Sequence, residues 1–420
     1  MKPTNPVPPG YKRTKVGVIP EEWEVVKIED VIERSFYGTS KSTSQKGKYP
    51  VLRMGNMRNG TIDYENLAYI DLEKKDFEQI SLKPGDILLN RTNSYDLVGK
   101  VSLFDKEEDF ITASYIVTYR PKQSVIDSNF LNNLLNTSYY QGKIKALATK
   151  GVSQANINPT VFKKVIKIPL PPLKEQQKIA QILSTWDEAI AKLEALIEEK
   201  ERFKKGLMHK LLSAELRFPG FEGEWKEVRL GDVAIRITKK NVDNSIKLVF
   251  SNSATDGIVM QNDYFDKDIA NKNNLLGYYI VEPGDFVYNP RISKSAPAGP
   301  ISRNNKDTSG IVSPLYTVFR FKTSKFATFI EYYFRSMLWI RFMNSIANYG
   351  ARHDRMNITI RDFMKMPLPF PSEAEQEKIV EILDTVDKEL MLLKKELEAL
   401  KEQKRGLMQK LLSGEVRVKL

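Results

Sequence analysis

The chain has 420 residues, 41% of them apolar, with a formal charge of +12; that supplies real cores for two or three domains and excludes a disordered tail. It has no cysteine and only two histidines, His209 and His353, which excludes a cysteine nucleophile, a disulfide framework and the usual zinc constellations.

Residues 1–15 show no apolar core of a signal peptide, and no run approaches the roughly 20 apolar residues that span a bilayer. A soluble, cytoplasmic protein without a membrane partner is expected. The first globular stretch opens on Trp23, followed by the alternating, strand-like Glu24-Val25-Val26-Lys27-Ile28. Further on, Lys83-Pro84-Gly85-Asp86 has the chemistry of a turn, with proline presetting φ and glycine supplying the left-handed position. The apolar run Ile87-Leu88-Leu89-Asn90 reads as a buried strand, as does Ser114-Tyr115-Ile116-Val117-Thr118-Tyr119-Arg120. Helical stretches follow near residues 129–140. A glycine-marked loop, Lys150-Gly151-Val152-Ser153-Gln154-Ala155-Asn156, precedes the breakers Pro169, Pro171 and Pro172, which end the domain and set up a helix.

Then comes a stretch that the chain contains twice. Residues 178–193 read KIAQILSTWDEAIAKL, and residues 378–393 read KIVEILDTVDKELMLL; both continue in register to GLMHKLLS at 206–213 and GLMQKLLS at 406–413. Seam positions Ile179, Leu183, Trp186, Ile190, Leu193, Ile197, Lys200, Lys204, Leu207 and Leu211 keep coiled-coil spacing, matched 200 residues later by Ile379, Leu383, Val386, Leu390, Leu393, Leu397, Leu400, Lys404, Leu407 and Leu411. A helix of about 38 residues is roughly 57 Å long and cannot bury one stripe against itself. The economical partner for each copy is the other. Lys204 and Lys404 share one seam position, where a lysine either fixes register or snorkels to solvent; snorkelling is the simpler expectation.

The second globular stretch repeats the landmarks of the first: Trp225, Glu282-Pro283-Gly284-Asp285, the strand-like 314–320, a helical stretch over 325–346, and the loop Tyr349-Gly350-Ala351-Arg352-His353-Asp354-Arg355. Its breakers, Pro367, Pro369 and Pro371, lead into the second long helix, and the lead-in 367–379 counts two residues more than 169–179. Ser372 and Glu375 have the spacing of a capping box. The repeat is therefore a globular domain plus a long helix, used twice.

The expected division is domain 1–168, helix 169–214, domain 215–366, and helix plus tail 367–420. Charge follows that division. Residues 1–168 carry 25 basic against 19 acidic side chains and residues 215–366 carry 22 against 16, while 169–214 (8 against 7) and 367–420 (10 against 11) are nearly neutral. A basic globular part is the electrostatic footprint of a nucleic-acid binder. A compact domain of about 150 residues, near 15 Å in radius of gyration, does not comfortably bridge the two ends of parallel helices. Antiparallel helices are expected, with a domain at each end and the tail, Gly414-Glu415-Val416-Arg417, returning to the first domain. The fold class is thus α+β, two globular domains separated by two long helices in an antiparallel coiled coil, pseudo-two-fold symmetric.

Catalytic signatures are missing: no GxxxxGK[ST] loop, dinucleotide-type GxGxxG, HExxH or GxSxG. Asn289-Pro290-Arg291 and Asn158-Pro159-Thr160 are partial echoes of an adenine-methyltransferase motif, without its second proline and aromatic. The polar loops carry the stronger signal. They hold Asn90, Arg91, Thr92, Asn93 and Ser94; Lys150, Ser153 and Gln154; Asn289, Arg291, Ser293 and Lys294; Arg352, His353 and Arg355; with Arg53, Asn56 and Arg58 as a third cluster. Arginine and asparagine read guanine and adenine edges, and lysine, serine and threonine suit phosphates. These residues are the candidate DNA contacts; no catalytic or metal-ligating residue is expected.

Two variable basic domains alternating with two near-identical long helices resemble the specificity subunit of type I restriction-modification systems. The resemblance rests on Pro169-Leu170-Pro171-Pro172-Leu173-Lys174-Glu175-Gln176-Gln177-Lys178-Ile179, the GLMHKLLS and GLMQKLLS ends, and the tryptophan lead-ins, and it covers essentially the whole chain. It implies a non-catalytic subunit whose two target-recognition domains each read half of a split, asymmetric target in double-stranded DNA, with the helices as spacer. It implies docking of two modification subunits, which bind S-adenosylmethionine and methylate adenine, and two restriction subunits that use ATP and Mg; the chain itself would bind no cofactor. A free-standing adenine methyltransferase and a coiled-coil protein scaffold are the alternatives.

Overall fold

The computed structural model describes residues 7–152, 154–261, 275–347 and 354–419. Two compact units emerge, one from Met1–Glu194 with Glu396–Leu420, the other from Ala195–Lys395. Each contains the start of one long helix and the end of the other.

The core of the first unit is a four-stranded antiparallel sheet in the order Ile32–Tyr37, Ile116–Pro121, Ile87–Asn90, Val101–Leu103. The second unit repeats that order with Ala234–Ile237, Thr317–Phe321, Phe286–Tyr288 and Ile301–Arg303. The apolar runs Ile87–Asn90 and Phe286–Tyr288 are buried along their whole length, because they lie inside the sheet with both faces covered. The Pro-Gly-Asp turns that precede them have Gly85 at φ 93° and Gly284 at φ 87°, the left-handed region glycine reaches without strain. Their aspartates are buried. Asp86 accepts from Lys83 N at 2.8 Å and from Arg120 at 2.8 and 2.7 Å. Asp285 accepts from Glu282 N at 2.7 Å and from Arg320 at 2.6 and 3.0 Å.

The strand after each tryptophan pairs antiparallel with the proline-bearing strand that ends the domain: Glu24–Lys27 with Lys167–Leu170, and Lys226–Arg229 with Pro367–Phe370. Each pair is a two-stranded sheet, where a missing proline N–H costs little. Pro169, Pro367 and Pro369 are therefore strand residues, while Pro171, Pro172 and Pro371 lie between strand and helix. The long helices run over Leu173–Leu212 and Glu373–Ser413. Closing strands and helices both begin 200 residues apart, so the second lead-in has no insertion; the two extra residues arise from where counting begins.

Every seam position read from the sequence is buried or half-buried. Ile179, Ala180 and Leu183 join Leu411 and Leu412 in the core of the first unit, as Met208, Leu211 and Leu212 join Ile379 and Leu383 in that of the second. The helix segments run antiparallel in each unit. In the first, Lys404 bonds Asp187 and Lys401 reaches Glu194 at 2.9 Å. In the second, Lys204 bonds Asp387 and Lys200 reaches Glu389 at 2.7 Å. The seam lysines thus do not snorkel. Each meets an aspartate across the helix pair, with only 21% and 19% of the Lys204 and Lys404 side chains exposed, a pairing that selects one register.

The capping-box spacing is half realised. Glu375 N donates to Ser372 Oγ at 3.3 Å, but the Glu375 side chain turns inward. It accepts from Trp225 Nε1 at 3.0 Å and from Arg217 Nε and Nη2 at 2.8 and 2.9 Å. Glu175 does the same in the first unit, with Trp23 Nε1 at 3.0 Å and Arg417 Nε and Nη2 at 2.7 and 3.0 Å. Both glutamates are 1% exposed, so a buried carboxylate is neutralised and hydrogen-bonded on both oxygens. The tail returns to the first unit as expected: Arg417 closes that constellation, and Tyr11 donates to Gly414 O at 2.9 Å.

Candidate nucleic-acid interface

In the first unit the sheet brings two of the sequence-predicted loops together. The strand Thr92–Asn93 pairs with Ala155–Ile157, which pairs in turn with Ala148–Lys150. Arg91, Thr92, Asn93, Ser94, Lys150 and Gln154 consequently share one patch, and Ser153 lies outside the described residues. Arg91 Nη2 donates to Asn156 Oδ1 at 3.0 Å, and Thr92 Oγ1 approaches the same oxygen at 3.4 Å. Asn93 turns its side chain back to accept from Ser94 N at 2.8 Å. Gln154 O takes Gly151 N at 2.7 Å and leaves its exposed side chain to solvent.

The second unit juxtaposes the equivalent loops. Arg291 and Arg355 form an antiparallel bridge, supported by Met356 N to Pro290 O at 2.9 Å and Ile292 N to Asp354 O at 3.1 Å. Two arginines opposite each other across a strand pair repel, and a bound anion relieves that repulsion. Among the described residues Arg355 pairs with one carboxylate, Asp354 at 3.7 Å. Ser293 Oγ accepts from Ala296 N at 3.1 Å, shaping the turn that leaves Lys294 exposed. Arg352 and His353 lie outside the described residues.

Three expected contacts are withdrawn from the surface. Asn90 is fully buried, and neither atom of its amide has a hydrogen-bond partner among the described residues. Asn289, 9% exposed, donates to Asn252 O at 3.1 Å and accepts from Arg291 N at 3.0 Å. Asn56 is consumed by Arg53 N, Asp63 O and Glu65 O, each at 3.0 Å. These amides lie beneath the loops, because each ends or follows a buried stretch and its polar atoms turn inward. Arg58 donates to Gly55 O at 2.8 Å and pairs with Asp63 at 2.5 Å. The Glu65 N–H and then Arg58 hold the Asp63 carboxyl below its usual range. Arg53 is exposed, with one donor on Asn66 O at 2.9 Å.

Aromatic side chains at this face escaped the sequence reading. Tyr37, 49% exposed, lies under the Arg91 guanidinium at 5.5 Å. Tyr95, 39% exposed, carries Lys145 and Lys150 ammoniums at 4.8 and 4.0 Å from its ring centre. Gly38, next to Tyr37, runs close against the neighbouring backbone: a Cβ there would fall 1.8 Å from Thr112 O. Cations over exposed rings, together with hydroxyls and amides, can bind phosphates and base edges. Among the described residues no His, Asp and Glu cluster could hold a metal ion, and no helix is long and apolar enough to cross a membrane.

A family model described as the type I restriction modification DNA specificity domain matches the chain twice, over residues 20–202 and 222–402. MjaX of Methanocaldococcus jannaschii, named for a type I restriction enzyme specificity subunit, is 27% identical over 97% of this chain and 97% of its own length. A solved chain from a study of complex assembly in the type I R-M system covers 95% of this chain and 99% of its own, with a TM-score of 0.59 at 18% identity. The type I system S subunit from M. genitalium covers 93% and 96%, with a TM-score of 0.52 at 18% identity. These solved structures share the fold.

Proposed function

This chain belongs to the type I restriction-modification DNA specificity family, and we propose that it confers sequence specificity on a type I complex by reading one half of a bipartite, asymmetric duplex target with each unit. The observation that carries this is the doubling itself. The specificity domain occurs twice, and each occurrence has its own juxtaposed pair of polar loops with unlike side chains. Unlike loops on a repeated frame suit two different half-sites, much as half-site spacing mirrors the frame of a dimeric repressor.

The site comprises Arg91, Thr92, Asn93, Ser94, Lys150, Ser153 and Gln154 in the first unit and Arg291, Ser293, Lys294, Arg352, His353 and Arg355 in the second, with Arg53 and Arg58 flanking the first. The chain is not itself catalytic. Two modification subunits, carrying S-adenosylmethionine, and two restriction subunits, using ATP and Mg, complete the assembly in the cytoplasm. The helices set the gap between half-sites and help dock the modification subunits.

Selection from a randomised duplex library by the assembled complex tests this. Two conserved blocks separated by an unread gap are expected, with affinity falling steeply in salt as phosphate contacts release counterions. Absence of sequence preference would sink the proposal. Adding one heptad to both helices is expected to change the preferred gap. Methyl transfer by the purified chain alone would establish the methyltransferase alternative instead.

A further inference from the structure

We propose that Tyr37 and Asn156 hold Arg91 as a rigid fork for a guanine edge in the half-site read by the first unit. The inference rests on the DNA-reading function above and goes beyond it by naming a base and two positioning residues.

The backbone of Arg91 is fixed on both sides: its N–H donates to Tyr115 O at 3.0 Å and its carbonyl accepts from Ile157 N at 2.8 Å. Its guanidinium is fixed by face and by edge. Tyr37 supplies the face, with the guanidinium carbon 5.5 Å from the ring centre, inside cation–π range. Asn156 supplies the edge, accepting from Nη2 at 3.0 Å, and is itself held opposite Thr92 across the strand pair. Nε is buried and has no partner among the described residues, so that edge faces inward and the Nη end remains for a ligand.

Arginine has five N–H donors. One is buried on Nε and one goes to Asn156. Guanine O6 and N7 need two of the remaining three, one from each Nη. A phosphate needs only positive charge within reach, which Lys145 and Lys150 already supply at Tyr95. Holding a guanidinium plane in one orientation restricts a flexible side chain, and bidentate recognition benefits from that orientation. Among the described residues the second unit shows no such device: the residue after Asn289 is Pro290, and its arginine, Arg291, comes one place later opposite Arg355. The asymmetry confines the effect to one half-site.

The experiment is base-by-base competition with the full chain in its assembled complex. Arg91→Lys keeps the charge and removes the plane; it is expected to cut discrimination for guanine at one base pair by about 10-fold or more, leaving the second half-site unchanged. Tyr37→Ala and Asn156→Ala are expected to weaken the same preference at the same base pair, and Tyr37→Phe to retain it. The untouched second half-site, read by the same molecule, reports that the variants are folded. An even loss across all sequences with a shallower salt slope would make Arg91 a phosphate contact and overturn the proposal. So would an unchanged profile in Arg91→Lys or Tyr37→Ala, or a coupled base other than guanine. A wild-type complex that selects no sequence overturns the underlying reading as well; one that selects both half-sites while Arg91→Lys matches it overturns this inference alone.

Discussion

The two units differ least where they touch the long helices and most where the polar loops lie. Glu175 with Trp23 and Arg417, and Glu375 with Trp225 and Arg217, agree within 0.1 Å at every hydrogen bond. At the loops, Arg91 stacks on Tyr37 and bonds Asn156, whereas Arg291 faces Arg355. A buried carboxylate needs its charge partner and its donors together, so substitutions there are punished one at a time. A loop that meets solvent or a ligand is free to change its side chains, provided the strands below keep their order.

The comparison predicts, first, that Glu175→Ala and Glu375→Ala are equally damaging, by about 2–3 kcal/mol each. That lies below the roughly 3–5 kcal/mol of a fully buried pair because the arginines keep some water. Denaturant unfolding checks this, and a clear difference between the two would break the equivalence. Second, Arg291→Ala should relax specificity within one half-site by about 1–2 kcal/mol at a single base pair, with the other half-site intact. Competition binding distinguishes that from a uniform loss. Third, a double-mutant cycle of Lys204→Met with Asp387→Asn should give a coupling of about 0.5–1 kcal/mol. The matching cycle of Lys404→Met with Asp187→Asn should give less, since the Asp187 side chain is 55% exposed against 31% for Asp387.

The smallest effect concerns acid. Arg320 hydrogen-bonds Glu282 and holds its pKa below the ordinary 4.5. The stability this contributes is present above the unfolded value and is lost as pH falls through the lower folded value. Glu282 and Arg320 are each 39% exposed, so screening reduces it to a few tenths of a kcal/mol. Glu282→Gln should flatten the acid limb of the unfolding curve. The equivalent Lys83→Gln should not, since the first unit has a lysine where the second has this carboxylate.

Much of the frame was legible because its signals are periodic or conformational. The heptad seam named the residues that are covered, Pro-Gly-Asp named the turn before a buried strand, and the repeat of Arg217 at Arg417 sent the tail back to the first unit. The seam lysines were misread because their partners, Asp187 and Asp387, sit on the other helix, and register across an antiparallel pair is invisible in either helix alone. The loops were only partly legible. Residue type singled out Asn56, Asn90 and Asn289 with Arg91 and Arg291, but burial separates them, and burial depends on strand order. Tyr37 was missed because it sits more than fifty residues before Arg91 and meets it only through the pairing of Ile32–Tyr37 with Ile116–Pro121.

The short ladder joining Glu24–Lys27 to Lys167–Leu170, and its twin joining Lys226–Arg229 to Pro367–Phe370, place the strand after each tryptophan beside the last strand of its domain. Everything between them is a closed excursion that leaves and rejoins the molecule at one spot. Such an insert can be exchanged for another of different length and chemistry while its mounting stays put. A lineage that must keep changing the sequence it recognises can therefore do so wholesale, by trading one excursion for another.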